Sequence, residues 1–194
     1  MSIAEAALAA AKILRNPGAV ILVPTETVYG LVCRAQDEVA CARIFELKQR
    51  PASKVIGWFV SGRAMLEKHG VIINTPAAQM LERYTPGAIT LISRTVSGDT
   101  QGYRVPDHPL LLAILAELNE PLAQTSANSS GNPDARSCTE AISQLHGSVD
   151  WFFDGGELDA SACASTVVDT TVEPLKILRQ GAVIIDDSFK KLVI

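Results

Sequence analysis

Three short segments gather hydroxyl, amide and cationic groups at the ends of apolar runs. The first, Pro24-Thr25-Glu26-Thr27-Val28-Tyr29-Gly30-Leu31, follows the run AVILVP at 19–24. Ligands of open α/β sheets collect outside the carboxyl ends of strands, which is where this segment belongs. Thr25 and Thr27 offer hydroxyls, Tyr29 an amphipathic ring, and Gly30 room for close backbone approach. A turn leading into a helix cap accounts for the same residues equally well. The second segment is Lys48-Gln49-Arg50-Pro51. Pro51 drives Arg50 out of the helical region, and residues two apart on extended chain point the same way. Lys48 and Arg50 are therefore expected to converge on one anion, a phosphate or a carboxylate. The plain alternative is a solvated basic helix end. The third segment runs from Thr125 through Ser126, Asn128, Ser129 and Ser130 to Pro133, dense in hydroxyl and amide side chains. Ser126 and Asn128 share a direction, and Arg136 follows within reach. An ordinary turn has a similar composition. Arg104, Ser165 and Arg179 are isolated polar residues inside or beside expected strands, and His108 in PDHP reads as a helix start.

Familiar devices are missing from the sequence. It contains no GxxxxGK[ST] phosphate loop, no GxGxxG after the first strand, and no GxSxG, HExxH or EF-hand loop. The 4 cysteines, Cys33, Cys41, Cys138 and Cys163, form no CxxC pair, and with only 3 histidines they offer no metal-ligand spacing. They read as small apolar fillers in a reducing compartment.

The elements that must hold these groups alternate in period. Ser2 and Glu5 form a capping box ahead of an amphipathic helix that Asn16-Pro17-Gly18 ends. AVILVP is a strand buried on both faces. Residues 37–48 read as a helix capped by Asp37, VIGWFV (55–60) as a strand, and 61–68 and 75–84 as helices. AITLIS (88–93) is a strand, 109–119 a helix and 121–126 a strand. A helix over 137–145 opens with Ser137 and Glu140 as a second capping box. WFFD, STVVD, LKILR and GAVII supply short strands. The pattern predicts an α/β domain around a twisted mixed sheet, with antiparallel pairing in the C-terminal third.

Composition sets the outer bounds. A chain of 194 residues buries roughly 70% of its unfolded surface and needs no staples. Hydrophobic residues at 47% and charged residues at 20% exclude disorder and coiled coil. A net charge of −4 argues against a basic coat for indiscriminate nucleic-acid binding. Glu5 interrupts the apolar N-terminus, so a secretory signal is not expected. A single domain over 1–194, working in the cytoplasm with no membrane contact, is the expectation.

PTETVYGL, KQRP, RVPDHP, TSANSSG, STVVD and LRQGAV stand in the order expected for the YrdC-like family. The resemblance spans about residues 5 to 185 and is closest in size to single-domain members. It implies a twisted α/β sheet flanked by helices around a large concave cleft. It also implies threonylcarbamoyl-AMP synthesis: L-threonine, bicarbonate or CO2, and ATP give the threonylcarbamoyl adenylate and pyrophosphate. A separate transferase complex would then modify tRNAs that decode ANN codons. By the same resemblance Lys48 and Arg50 hold the ATP phosphates and act in catalysis, with Ser126, Asn128, Arg136 and Arg179 as further ATP contacts. Thr25, Tyr29, Arg104, Thr125 and Ser165 would bind L-threonine, Arg104 through its carboxylate. Mg²⁺ would be carried by the ATP phosphates, with no protein metal ligands.

One segment departs from the family pattern. After KxRP the chain continues Ser53-Lys54-Val55-Ile56-Gly57-Trp58-Phe59, where relatives take a Pro-Leu or Gly-Leu step and some place a histidine near Phe59. Gly57 inside a strand marks a bulge or a close approach, so a differently shaped cleft wall is expected there. Three other readings stand beside the leading one. They are a carbamoyl-adenylate former, an RNA-binding or ribosome-maturation module using the same cleft, and an inactive paralogue of the same fold.

Overall fold

The computed structural model describes residues 1–51, 55–159, 162–186 and 189. Ser53 and Lys54 of the divergent segment lie outside the described residues. In chain order the elements are α1 (Ile3–Leu14), β1 (Ile21–Val23), β2 (Gly30–Arg34), α2 (Glu38–Lys48), β3 (Gly57–Phe59), α3 (Arg63–Lys68) and α4 (Thr75–Tyr84). They continue with β4 (Ile89–Arg94), β5 (Thr100–Arg104), α5 (Pro109–Leu118), β6 (Leu122–Ser126), α6 (Cys138–Gln144), β7 (Trp151–Phe152), β8 (Thr166–Asp169) and β9 (Lys176–Arg179). The described strands form one 9-stranded sheet, ordered β7-β1-β2-β6-β3-β5-β4-β8-β9. Parallel and antiparallel pairs are interspersed, and β8–β9 supplies the antiparallel pairing expected near the C-terminus.

The continuous apolar run at β1 has a direct cause. Ile21 and Val23 join a core with α1 and α5, whereas Val20 and Leu22 join a second core with α2 and α6. The same split separates Val32 from Leu31 and Cys33 on β2, and Leu122 from Ala123 on β6. Neighbouring residues thus serve opposite faces, and both faces are covered.

Caps follow the sequence closely. Ser2 and Glu5 close a full capping box, and the Asp37 carboxylate accepts from the Ala40 N–H at 2.9 Å. At α6 Ser137 caps Glu140, but the Glu140 carboxylate accepts from the Arg136 N–H at 2.8 Å. His108 is the N-cap of α5, followed by Pro109.

Two expectations about elements change. Residues 30–34 are a strand, β2, pairing antiparallel with both β1 and β6, where the sequence suggested a turn into a helix cap. A segment of five residues carries too few periods to declare itself; its partners decide it. GAVII at 181–185 forms no strand, and Ile184 is exposed. Cys163 is exposed as well, so it is not an apolar filler; Cys33 and Cys138 are buried, and Cys33 lies with its sulfur 3.7 Å from that of Cys41.

Asn74 links two parts of this scaffold. Its carbonyl oxygen caps α4 at the Ala77 N–H, 2.9 Å away, while its amide donates to the Thr170 carbonyl at 2.7 Å. Asn74→Ala is expected to cost about 2 kcal/mol, one part cap and one part hydrogen bond. Thermal unfolding should shift down by about 4–8 °C. Asn74→Asp keeps the cap acceptor alone and should fall between the two.

Candidate active site

A cleft of about 520 Å³ opens over one face of the central strands. Its lining shows how it is built: Gln124 and Ser126 from β6, Gly57 from β3, Thr100, Gly102 and Arg104 from β5, Thr90 and Ile92 from β4. On each strand these residues are two apart and therefore share a face. Register places Gly57 opposite Gln124 and Gly102 opposite Ile92.

At one end lies Arg104, 5% exposed, its guanidinium carbon 4.8 Å from the centre of the Phe59 ring. The proton order around it can be read directly. Thr25 Oγ1 accepts from the N–H groups of Thr27 and Val28 and donates its single proton to the Val28 carbonyl at 2.7 Å. The 2.9 Å contact between the two threonine hydroxyls is then a donation from Thr27 to Thr25. Thr27 in turn accepts from Arg104 Nη1 at 3.0 Å. Both threonine hydroxyls thus have their protons committed within the site, and Arg104 is the group with donors left to offer a ligand.

Glu26 stands behind, one oxygen 3.6 Å from Arg104 Nη1, too far for a hydrogen bond. Both Glu26 oxygens, Arg104 Nε and His108 Nδ1 are buried without hydrogen-bond partners. Burial lowers the guanidinium's affinity for its proton, Glu26 opposes this, and Arg179 adds to it. Burial also holds the His108 imidazole below its ordinary range, against the pull of Glu26 and Asp107. Such a concentration of unmet hydrogen-bonding capacity marks a place that a ligand or water completes. Beside it the Ser165 hydroxyl lies 2.8 Å from that of Thr90 and accepts from Arg179 Nη2 at 3.1 Å. Arg179 also donates through Nε to the Ser165 carbonyl at 3.0 Å.

The other end is assembled by the C-terminus of α2. Gln49 adopts the left-handed conformation (φ 48°, ψ 43°) and the Arg50 N–H returns to the Phe45 carbonyl at 2.9 Å, so the chain reverses there. That reversal gives the two cations different partners. Arg50 enters the cleft, donating to Thr125 Oγ1 at 3.0 Å and to the Val55 carbonyl at 3.1 Å. Lys48, 3% exposed, turns beneath the loop after β6. Its ammonium donates to the carbonyls of Ser126 and Asn128 and, at 3.1 Å, to Asn128 Oδ1. The Ser126 hydroxyl donates to the same Asn128 oxygen at 2.6 Å, and the Asn128 amide donates to the Asn132 carbonyl at 2.6 Å. Burial, with the nearby Arg50, pushes the Lys48 ammonium down from 10.5 to about 8, Asp134 opposing.

The expected site residues therefore divide. Thr25, Arg50, Arg104, Thr125, Ser126, Ser165 and Arg179 line the cleft; Lys48, Asn128, Tyr29 and Arg136 do not. The extended-chain argument for Lys48 and Arg50 fails at Gln49, whose left-handed backbone no neighbouring residue announces. Tyr29 is fully buried in the α2–α6 core, where its hydroxyl donates to the Gly156 carbonyl at 2.7 Å and accepts from the Gly155 N–H at 2.9 Å. It anchors the 154–156 turn instead of shaping a ligand pocket. Asp134, Thr90, Thr100 and Gln124 line the cleft without having been singled out. Alternate-residue spacing with Arg104 and Ser126 was the one available signal for Thr100 and Gln124.

A family profile described as "Telomere recombination", covering the Sua5, YciO and YrdC proteins, matches residues 13–181. The chain belongs to this family. The threonylcarbamoyl-AMP synthase of Pyrococcus abyssi is 34% identical over 179 residues, 88% of this chain and 52% of the relative. That of Bacillus subtilis is 32% identical over 186 residues, 91% of this chain and 54% of the relative. The crystal structure of P. abyssi Sua5 complexed with L-threonine superposes with a TM-score of 0.84 at 33% identity, over 93% of this chain and 55% of that one. The chain thus spans about half the length of these relatives.

The divided roles of the KxR pair generate two expectations. Lys48→Met strands two buried carbonyls and should cost about 2–3 kcal/mol of stability, whereas Arg50→Met should leave the melting temperature within about 2 °C. Because Lys48 titrates lower in the folded chain than in the unfolded one, the unfolded chain holds the extra proton between about pH 8 and 10.5. The Lys48 contribution to stability therefore rises with pH across that window. Calorimetric scans of both forms from pH 7 to 10 should show the unsubstituted protein gaining on Lys48→Met above pH 8.

Proposed function

We propose that this cleft synthesises threonylcarbamoyl-AMP from L-threonine, bicarbonate or CO2, and ATP. The observation that carries the reading is the pairing of two cationic ends in one cleft. Arg104 is buried and incompletely hydrogen-bonded at the amino-acid end, and Arg50 stands beside Ser126 at the phosphate end. A carboxylate is the natural partner for a buried guanidinium backed by Thr27 and flanked by Ser165. Arg50 offers its remaining N–H donors to phosphate oxygens; Arg179 adds a third cation along the same wall.

The reaction asks little acid–base work of the protein. Threonine carboxylated on its amine presents a carbamate oxygen to the α-phosphorus of ATP; the new P–O bond forms as the bond to pyrophosphate breaks. Guanidinium groups offset the charge on the equatorial oxygens, and fixed positions supply the rest. Lys48 acts through the Ser126–Asn128 loop, holding Ser126 in place. Asp134 is the carboxylate among the described lining residues, and no group of three or more His, Cys, Asp or Glu able to hold a metal occurs among the described residues. These residues suit Mg²⁺ held by the phosphates, where it would neutralise their charge.

The adenylate would pass to a transferase complex that modifies ANN-decoding tRNA, in the cytoplasm. No helix among the described residues is long and apolar enough to cross a membrane. Residues 1–194 are read as one domain, since both ends of the cleft rest on a single sheet.

Pyrophosphate release with ATP and Mg²⁺, omitting L-threonine or bicarbonate in turn, tests the reading. Release should require both, with the threonylcarbamoyl adenylate detected by mass spectrometry. Release indifferent to threonine would overturn it. Arg104→Lys should raise KM for threonine at least tenfold while changing KM for ATP less than threefold.

A further inference from the structure

The divergent wall of the cleft contains a matched pair, Gln124 on β6 and Gly57 on β3. They are directly opposite in the sheet register. A Cβ atom built on Gly57 would stand 2.9 Å from Gln124 Nε2, closer than side chains tolerate, and 3.6 Å from the Gly102 carbonyl oxygen. Gly57 has no positive φ, so its backbone would accept alanine. What glycine supplies there is room: the Gln124 carboxamide lies across β3 in the space a side chain would fill.

The carboxamide occupies this position without a bond to hold it. Among the described residues it has no hydrogen-bond partner, although it is only half exposed and lines the cleft. It is the one carboxamide in the described lining, and the strands beside it bring Gly57 opposite it and Gly102 beyond. A half-buried amide with free donor and acceptor capacity costs stability unless a ligand or water completes it.

Distance ties the pair to the amino-acid end. Gly102, beside the carboxamide, is two residues from Arg104 on the same face of β5, a separation of about 7 Å along the strand. The carboxamide and Arg104 therefore line one cleft from neighbouring positions of the same sheet face. We infer that Gln124, given room by Gly57, determines which amino acid the cleft accepts, by hydrogen-bonding a hydroxyl-bearing side chain and rejecting aliphatic ones. A carboxamide both donates and accepts, as a hydroxyl does, so the match needs no fixed proton order. An aliphatic side chain of the same shape would desolvate the amide and leave it unpaired, the situation in which polar sites discriminate most strongly.

The inference rests on the proposed amino-acid end, but it is tested by binding and not by turnover. L-threonine and its isostere L-valine are titrated calorimetrically into the unsubstituted protein, Gln124→Leu and Gly57→Ala. Melting temperatures confirm that each variant is folded. The unsubstituted protein should prefer threonine at least thirtyfold. Gln124→Leu should cut that preference at least tenfold, mostly by admitting valine, and Gly57→Ala should do the same by displacing the carboxamide. An unchanged preference in both folded variants overturns the inference, as does failure of the unsubstituted protein to bind either amino acid. The two readings separate cleanly. A preference that depends on Gln124, without pyrophosphate release, defeats the synthase and keeps this assignment; threonine-dependent release with a preference indifferent to Gln124 does the reverse.

Discussion

Everything at the Arg50 end of the cleft depends on one buried ammonium. Lys48 holds the carbonyls of Ser126 and Asn128 together with the Asn128 side chain, joining the last residue of α2 to the loop that leaves β6. Ser126 can present its hydroxyl only because this loop is fixed, and the loop is fixed because a desolvated cation needs every acceptor it has. The Ser130 N–H closes the same junction by donating to the Lys48 carbonyl at 3.0 Å. A charge that looks available to the cleft is therefore consumed in holding residues beside it. Arg50, two residues on, is the one delivered to the cleft.

The Arg104 end follows the opposite strategy. There the polar groups are buried but left incomplete: Glu26 stands just beyond hydrogen-bond distance of Arg104, and Arg104 Nε and His108 Nδ1 are unpartnered. Burial raises the strength of any interaction a ligand makes, and the unmet capacity ensures that a ligand gains by making it. The Thr25–Thr27 relay shows how finely this is set. Thr25 spends its proton on the backbone so that Thr27 can serve Arg104. The two ends thus divide the work between a rigid, satisfied loop and a buried, unsatisfied cation, with a floor of Gly57 and Gly102 between them.

Membership of the family does not make this wall typical. The KxRP, SAN and STVVD stretches are held by hydrogen bonds that explain why those residue types stand there. The described stretch after Pro51 has glycine in the strand, a carboxamide laid across it, and Phe59 under the Arg104 guanidinium. Loops and strand ends carry most of the polar groups of this cleft, and one exchange of side-chain volume between neighbouring strands shapes its wall.

The amino-acid sequence by itself determined the α/β architecture, the caps at Ser2, Asp37 and Ser137, the buried character of β1, the family, and the set of polar segments from which the cleft is drawn. Those properties are local: a cap needs three residues, a motif needs its own letters, and periodicity needs only neighbours. Tertiary structure alone decided that 30–34 is a strand, since only pairing with β1 and β6 makes it one. It decided that Gln49 turns left-handed and gives Lys48 and Arg50 different partners, that Tyr29 anchors a turn, and that Gln124 finds its space over Gly57. Each of these is fixed by partners distant in the chain: Thr125 of β6 lies 75 residues from Arg50, and Asn128, in the loop after β6, lies 80 from Lys48. The sequence names the groups. Packing assigns each one to the ligand or to the scaffold.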